Sequence, residues 1–376
     1  MNPVTYCMNV HPGESLDAIV KALEDVTLPL RDALGVDDEA DFPIGLRLGS
    51  EAARALRVPE SLRAFDAVLR RNHLAVIGVN GFPYGPFHGC PVKTDVYEPD
   101  WANPHRAAYT RDLFYALTRL PGADLGNDHR LSVTTAPLAY DRGQGFTEPM
   151  FRNVCAMALF LRKLEGFTGL RLCLALEPEP DCLLQDVTTT VDFFERLWQH
   201  PDWNPAYRDL IGVCFDACHF AVAYEDPLNA LRSLVSANIP IARVQVSAAL
   251  EFTPYATARD LEPFLDDVYL HQTARREDDA TLTCFPDLTR EILPELAGRR
   301  GRIHYHVPLT WPGDGRLGST RHALTSAFWR YVRAGGWPVE VETYAYFVYP
   351  DYLRTRTLSE SLLADLNWVR AQLRNA

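Results

Sequence analysis

The chain has 376 residues, of which 47% are hydrophobic, 11% aromatic and 23% charged. These proportions are those of an average globular chain and exclude the disordered, collagen-like and coiled-coil classes. Lys and Arg number 37 against 49 for Asp and Glu, and the formal net charge of −12 has the wrong sign for binding a nucleic-acid backbone. We therefore expect no nucleic-acid partner.

Short apolar runs alternate along the chain with segments of helical periodicity, a pattern typical of a parallel sheet wound with helices. No uninterrupted apolar run, Cys155–Leu161 included, approaches the roughly 20 residues of a membrane-spanning helix. The candidate strands in chain order are Thr5–Val10, Ile44–Leu48, Leu74–Val79, Leu131–Thr135, Leu170–Leu176, Ile211–Phe215, Ile241–Val246, Ile303–Val307 and Val339–Thr343.

These nine candidates favour a closed barrel, since eight parallel strands alternating with helices form one and a ninth then lies outside it. An open nucleotide-binding sheet would require a Gly-rich phosphate loop after an early strand, and the sequence has none. We predict an α/β fold, a single (β/α)8 TIM barrel over residues 1–376. Long insertions at about 80–104 and 250–302 are expected in loops at the C-terminal face. Within the second, we predict helices over Leu261–Arg275 and Leu288–Leu296.

Polar residues stand where several of these runs end, and a barrel would bring them to one rim. Glu177 follows the fifth run, Asp216 the sixth, and Glu342 lies in the last, while Gln245 lies in the seventh. Carboxylates with an amide or nitrogen donor suit a divalent ion such as Mn²⁺, Mg²⁺, Co²⁺ or Zn²⁺. For any one of them alone, a solvated strand end or a helix cap is the alternative.

The order of these residues resembles the xylose-isomerase-like superfamily of TIM barrels, which includes sugar isomerases, epimerases and the endonuclease IV branch. The matching motifs are Glu177, Asp216-x-x-His219, Val244-Gln-Val-Ser247 and Val341-Glu-Thr343. More closely, the chain resembles the EboE family of metabolite traffic proteins, which is associated with moving or modifying a small terpenoid-derived metabolite. The motifs of that closer match are Thr5–His11, Asn80–Gly85, Leu176–Pro180, Cys214–His219 and His304–Leu309.

The superfamily resemblance implies a metal site of Glu, Asp, His and Glu from the fifth to eighth strands. By position these are Glu177, Asp216, Gln245 and Glu342, so a Gln replaces the superfamily's His. An amide oxygen is a weaker ligand than imidazole for Zn²⁺ and moves the preference toward harder ions. His306 is a candidate for the missing nitrogen, with packing in the barrel core as the alternative.

The resemblance also implies the chemistry, a divalent-metal-dependent isomerase or epimerase acting on a sugar or sugar phosphate. Glu177 and Glu342 would exchange protons through an enediolate, and His219 would hydrogen-bond a substrate oxygen. The other candidate substrate-binding residues are His11, Asn80, His88, Lys93, Trp101 and His304.

Two alternatives stay open beside this hypothesis. One is a barrel that binds or hands over a hydrophobic metabolite, with no chemistry or a different chemistry, as the EboE resemblance and Gln245 suggest. The other is a DNA-repair phosphoesterase of the endonuclease IV type, which the charge and the missing His disfavour. We expect a small-molecule ligand and a cytoplasmic location without a secretory signal, whereas the oligomeric state is open, with a homodimer as one option.

Overall fold

A computed structural model describes residues 2–37, 39–122 and 130–376. The strands in chain order are β1 (Val4–Tyr6), β2 (Phe42–Arg47), β3 (Leu74–Asn80), β4 (Leu131–Thr135), β5 (Leu172–Leu176), β6 (Ile211–Asp216), β7 (Ile241–Val246), β8 (Ala249–Phe252), β9 (Thr273–Arg276), β10 (Leu282–Phe285), β11 (Arg300–His306), β12 (Leu317–Ser319) and β13 (Val339–Val341). The helices are α1 (Leu16–Ala22), α2 (Leu28–Ala33), α3 (Ser50–Ala55), α4 (Pro59–Arg71), α5 (Pro104–Leu117), α6 (Glu148–Thr168), α7 (Val187–Gln199), α8 (Ala217–Val222), α9 (Pro227–Ser236), α10 (Ala258–Leu261), α11 (Leu293–Leu296), α12 (Ser326–Gly335) and α13 (Leu358–Asn375).

The parallel strands form a barrel, which confirms the predicted α/β TIM-barrel fold. Among the described residues, eight of them make one sheet in the order β1-β13-β7-β6-β5-β4-β3-β2. A parallel bridge between Cys7, which follows β1, and Gly45 of β2 joins the two ends of this sheet. The barrel strands are buried almost throughout, as expected for a sheet with side chains inside and helices outside.

A second sheet lies between β7 and β13 in the chain. Its described strands are antiparallel and follow the order β10-β9-β11-β8-β12. The candidate strand Ile303–Val307 belongs to this sheet, as part of β11, and is therefore the candidate outside the barrel. The sheet extends to Ser319, past the predicted end of the insertion at 302. Its residues Leu250 and Tyr305 share one buried apolar cluster with Val246 of the barrel, and one domain over 1–376 stays our prediction.

The helix predicted over Leu261–Arg275 is wrong. Helical turns end at Phe264, and Thr273 already begins β9. The carboxylate of Asp266 accepts hydrogen bonds from the backbone N–H groups of Val268, at 2.8 Å, and Tyr269, at 3.1 Å. These bonds form a local turn that competes with a continuing helix.

The other predicted helix of this region, over Leu288–Leu296, is shorter than expected, because α11 covers only Leu293–Leu296. We also find, among the described helices, none with the length and continuous apolarity that a bilayer crossing requires.

The barrel interior beneath its C-terminal rim holds a buried ion pair. Arg243 Nη1 lies 2.9 Å from Glu340 Oε2, and both side chains are almost fully buried. The guanidinium also donates to the carbonyl oxygen and hydroxyl of Ser132, at 3.0 and 2.9 Å. Glycine makes room for this pair, since a Cβ at Gly78 would lie 1.7 Å from Arg243 Nη2 and one at Gly45 would lie 1.8 Å from Glu340 Oε1.

The buried carboxyl group of Asp365, in α13, should make the stability of the protein depend on pH. Burial raises its pKa from 3.8 to about 7, so between about pH 4 and 7 the folded chain holds a proton that the unfolded chain releases. Stability from this group is therefore present at low pH and is lost as pH rises through that window. We measure the free energy of unfolding in urea for Asp365→Asn and for the parent. The variant's value minus the parent's should increase from about pH 4 to 7 and stay constant above about pH 7. A constant difference across this range would contradict the assignment.

Candidate metal centre

A pocket opens at the C-terminal end of the barrel strands. Its cavity volume, counted as the space open to the centre of a water molecule, is about 60 Å³. The carboxylates and imidazoles that line it are Glu177, Glu179, His219, His304 and Glu342. The aromatic residues that line it are Phe82, Phe87, Tyr97, Tyr269 and Tyr344.

Two of the three predicted carboxylates, Glu177 and Glu342, line this pocket, whereas Asp216 is not among its described lining residues. Glu177 directly follows β5 and is held there by its N–H, which donates to the carbonyl of Thr135 at 3.1 Å. Glu342 directly follows β13, and β6 and β7 separate that strand from β5 around the barrel. The two side chains therefore approach the pocket from different walls. Burial, followed by the charges of Glu342 and Asp216, raises the pKa of Glu177 well above its ordinary value.

Asp216 has a structural role and a free oxygen at the same time. Its Oδ1 accepts from the backbone N–H groups of Cys218, at 2.7 Å, and His219, at 3.2 Å, and from the Ser247 hydroxyl at 2.6 Å. This oxygen caps α8, as the helix-cap alternative proposed. Its Oδ2 is buried and has no hydrogen-bond partner among the described residues, so the carboxylate keeps one oxygen for a ligand.

Glu342 is held by one hydrogen bond and lies against an imidazole. Its Oε1 accepts from Asn9 Nδ2 at 2.5 Å, whereas its buried Oε2 lies 2.9 Å from His306 Nδ1 but has no hydrogen-bond partner among the described residues. Sequence reasoning missed Asn9, although it lies in the Thr5–His11 motif, because the motif does not show which of its polar residues turns toward the barrel axis. These contacts orient the carboxylate.

Three histidines, His219, His304 and His306, surround the same region with their Nδ1 atoms already engaged. Nδ1 of His219 lies 2.7 Å from the Pro178 carbonyl oxygen, and Nδ1 of His306 lies 3.1 Å from the Glu342 carbonyl oxygen. Because a carbonyl oxygen can only accept, each of these nitrogens carries the proton. The Nε2 atoms are thereby left to face a ligand, as in most metal-binding histidines.

Nδ1 of His304 also carries the proton, but it donates to a side-chain amide oxygen instead of a backbone carbonyl. The Nε2 of Gln272 donates to the Pro180 carbonyl and to the Tyr97 hydroxyl, both at 3.0 Å, so Gln272 Oε1 is the acceptor 2.7 Å from His304 Nδ1. The Tyr97 hydroxyl in turn donates to Glu179 Oε1 at 2.8 Å. Sequence reasoning did not find this network, since its members come from four separate segments of the chain.

The electrostatics around His306 favour positive charge. Burial lowers its pKa, but Cys218 and Glu342 outweigh burial and raise it well above the ordinary value. By contrast, burial together with His219 and His306 lowers the pKa of His304 well below the ordinary value. The surroundings of His306, which include Glu342, therefore stabilise a positive charge, whereas those of His304 do not.

The residues fit a divalent cation. Buried atoms without a hydrogen-bond partner among the described residues include Glu177 Oε2, Asp216 Oδ2, Gln245 Oε1, His304 Nε2, His306 Nε2 and Glu342 Oε2. Such buried groups are costly when unpaired, and oxygen and imidazole donors together suit a transition-metal ion. Within the described residues, the groups of three possible ligands whose atoms lie within 4.8 Å of one another are Asp216–His219–His306, Glu179–His219–His304 and Cys218–His304–His306.

Of the predicted substrate-binding residues, Asn80 and Lys93 line the pocket together with His304. Asn80 Oδ1 accepts from the Phe82 N–H at 3.1 Å. Lys93 donates to Asp287 Oδ2 and to the carbonyls of Asp266 and Tyr269, all at 2.7 Å. These bonds use the three N–H donors of the ammonium group, so Lys93 serves to hold loops together.

His11, His88 and Trp101 do not belong to the described lining of the pocket. His11 Nε2 lies 2.9 Å from the Tyr6 hydroxyl, and burial and His88 lower its pKa to about 4. His88 contacts the Asn9 carbonyl and the Tyr269 hydroxyl, at 2.6 and 2.5 Å. The Trp101 indole is fully buried and donates to another buried side chain. These three residues thus support the walls.

Comparison with known proteins shows the fold. No protein-family model and no curated protein matches the sequence. The crystal structure of the IolI protein with a bound zinc atom is 13% identical with a TM-score of 0.51, over 100% of this chain and 99% of that one. A xylose isomerase-like TIM barrel protein from Mycobacterium smegmatis, in complex with magnesium, is 12% identical with a TM-score of 0.52, over 100% and 97%. The chain therefore shares the fold of xylose isomerase-like TIM barrels.

Proposed function

We propose that the protein is a divalent-metal-dependent isomerase or epimerase of a small hydroxycarbonyl compound such as a sugar. The observation that carries this proposal is the placement of Glu177 and Glu342 on different walls of one pocket, beside buried acceptor atoms that lack partners among the described residues. The presence of zinc and of magnesium in two structures with this fold supports it. Because Lys93 is engaged by three acceptors, an unphosphorylated substrate fits better than a sugar phosphate.

The predicted ligands of the ion are Glu177, Asp216 and Glu342, with Gln245 or His306 completing the set. When bound, the ion polarises a carbonyl oxygen and makes the neighbouring C–H more acidic. Manganese, magnesium, cobalt and zinc ions all stay candidates for it.

Glu177 and Glu342 are the proposed proton carriers. Glu342 is oriented by Asn9 and His306 and acts as the acceptor. Glu177 lines a different wall of the pocket and is the carboxylate that exchanges a proton on the other side of the substrate carbon. Asn80 and His304 line the pocket and are placed to bind substrate hydroxyls, while the aromatic walls exclude water.

The apolar walls favour a second candidate, a barrel that binds and transfers an apolar metabolite. Phe87 packs against Tyr269 and Tyr344, with ring centroids 5.1 and 5.7 Å apart, and Phe82 packs against Tyr97 at 5.8 Å. The carboxylates and imidazoles in the same lining favour a polar molecule over a terpenoid chain. Membership of the EboE family, the cytoplasmic location and a homodimer stay predictions.

The test combines metal content with proton exchange. Protein purified without chelator is analysed for bound metal, as are Glu177→Ala and Glu342→Ala, and each is incubated in D₂O with D-fructose and D-xylulose as probes. We expect stoichiometric metal in the parent, less in both variants, and deuterium incorporation beside the carbonyl by the parent alone. Metal that is unaffected by both changes, together with no exchange, would overturn the proposal.

A further inference from the structure

The position that would carry an imidazole on β7 is held by Gln245, whose amide Nε2 lies 3.5 Å from Glu340 Oε2. Two imidazoles reach the site by other routes. His219 comes from α8, directly after β6, and His306 ends β11 of the antiparallel sheet. The register of β11 against β8 shifts between Ile303 and His306, and irregularities of this kind re-aim side chains.

The atoms that meet there can only accept. Asp216 Oδ1 lies 4.0 Å from His219 Nε2, and ligand atoms of Asp216, His219 and His306 lie within 4.8 Å of one another. The imidazole protons are committed to the carbonyls of Pro178 and Glu342. Asp216 Oδ2 and His306 Nε2 have no hydrogen-bond partner in the described part of the chain. Two buried acceptors without a partner, in a group of three possible ligands with His219, are stabilised by a cation or an added proton.

We propose that His219 and His306 bind the divalent ion directly, together with Asp216, and that this nitrogen-rich set selects Zn²⁺ or Co²⁺ over Mg²⁺. The antiparallel sheet thus completes the metal centre of the barrel by supplying His306 in place of the imidazole that β7 lacks. His219 then acts on the ion rather than on a substrate oxygen. This inference rests on the proposed function for the presence of an ion and adds its ligands and its selectivity.

The selectivity follows from the ligand types. Imidazole nitrogen binds Zn²⁺ and Co²⁺ well, whereas Mg²⁺ takes oxygen ligands in near-ideal octahedral geometry and retains several waters. The completely buried positions of Asp216 and His306 and the slight exposure of His219 leave little space for such a hydrated ion.

The experiment uses the full chain, stripped of metal with a chelator, and measures Zn²⁺ and Mg²⁺ binding by competition with a metal indicator and Co²⁺ binding by visible absorption. We expect Zn²⁺ to bind and to resist a large excess of Mg²⁺. His219→Gln and His306→Gln should each lower the Zn²⁺ affinity by more than about 100-fold, since even loss of a partner behind a ligand costs roughly 10- to 100-fold. His105→Gln, at an exposed position, should change nothing.

A further variant separates ligation from folding. His306→Cys keeps a metal-binding side chain and, under reducing conditions, should retain more Zn²⁺ affinity than His306→Gln and still give cobalt absorption bands, which a packing role would not produce. Unchanged Zn²⁺ affinity in both glutamine variants, or equal affinity of the parent for Mg²⁺, would overturn the inference. Loss of Zn²⁺ in His219→Gln and His304→Gln, with retention in His306→Gln, would place the ion at Glu179–His219–His304 instead and would also overturn it.

The two proposals fail in different ways. If the inference alone is wrong, the glutamine variants keep Zn²⁺ and the parent still exchanges deuterium. If the proposed function alone is wrong, the glutamine variants lose Zn²⁺, but the zinc-loaded parent incorporates no deuterium into the substrate.

Discussion

Glu342→Gln is expected to lower the rate of proton exchange between the substrate and D₂O by about 10²- to 10⁴-fold, the usual contribution of a positioned acid or base. The amide has the shape of the carboxylate, and its oxygen can still accept from Asn9 Nδ2, which lies 2.5 Å from Oε1 in the parent. What it cannot do is take up a proton from carbon. The measurement is deuterium incorporation followed by mass spectrometry, with bound metal determined in the same sample.

Glu195→Gln offers a matched control, since it makes the same chemical change at an exposed position of α7 and should exchange at the parental rate. A metal-loaded Glu342→Gln protein that exchanges as fast as the parent would show that Glu342 is not a proton carrier. If the variant lost its metal, the rate would be compared after reconstitution with excess Zn²⁺, so that ligand and base roles are separated.

Arg243→Met is expected to lower the free energy of unfolding by about 3–5 kcal/mol, the usual cost of removing one partner of a buried ion pair. The Glu340 carboxylate would lose the guanidinium 2.9 Å away and stay buried without a countercharge. Urea unfolding followed by circular dichroism measures this loss. The pKa of Glu177 should also rise further, because Glu340 is one of the charges that raise it.

The double variant Arg243→Met, Glu340→Gln tests the physical reason. Removing the stranded charge should restore a large part of the lost stability, because neutral replacements of a buried pair are often close to neutral in effect. A double variant as unstable as Arg243→Met alone would mean that lost packing, and the lost bonds to Ser132, account for the whole effect.

The closed barrel was predictable because its signals are local. Each barrel strand lies in a short apolar run, each run is followed by a helical pattern, and parallel strands bring their carboxyl ends to one rim. Glu177 and Asp216 lie at the predicted end of the barrel for this reason. The strand pattern did not show that Glu177 lines the pocket whereas Asp216 caps α8.

Other features depended on contacts between distant segments. A buried strand of the barrel and a buried strand of the antiparallel sheet have the same kind of residue pattern. The pattern of Ile303–Val307 therefore could not show which sheet it joins. Lys93 looked like an anion-binding residue until its bonds to Asp287 and two carbonyls were seen. The helix predicted over Leu261–Arg275 failed because side-chain bonds from Asp266 form a turn there.

The sequence by itself determined the α/β class, the barrel and the strand-end carboxylates, since periodicity and strand order are properties of neighbouring residues. Only the tertiary structure decided that His306 lies beside Glu342 and that Asn9 holds the same carboxylate, from 333 positions away. Such pairs arise from the closure of the barrel and the docking of the antiparallel sheet on it. Both are driven by burial of apolar surface, which is non-directional and does not reveal in one dimension which polar groups it will bring together.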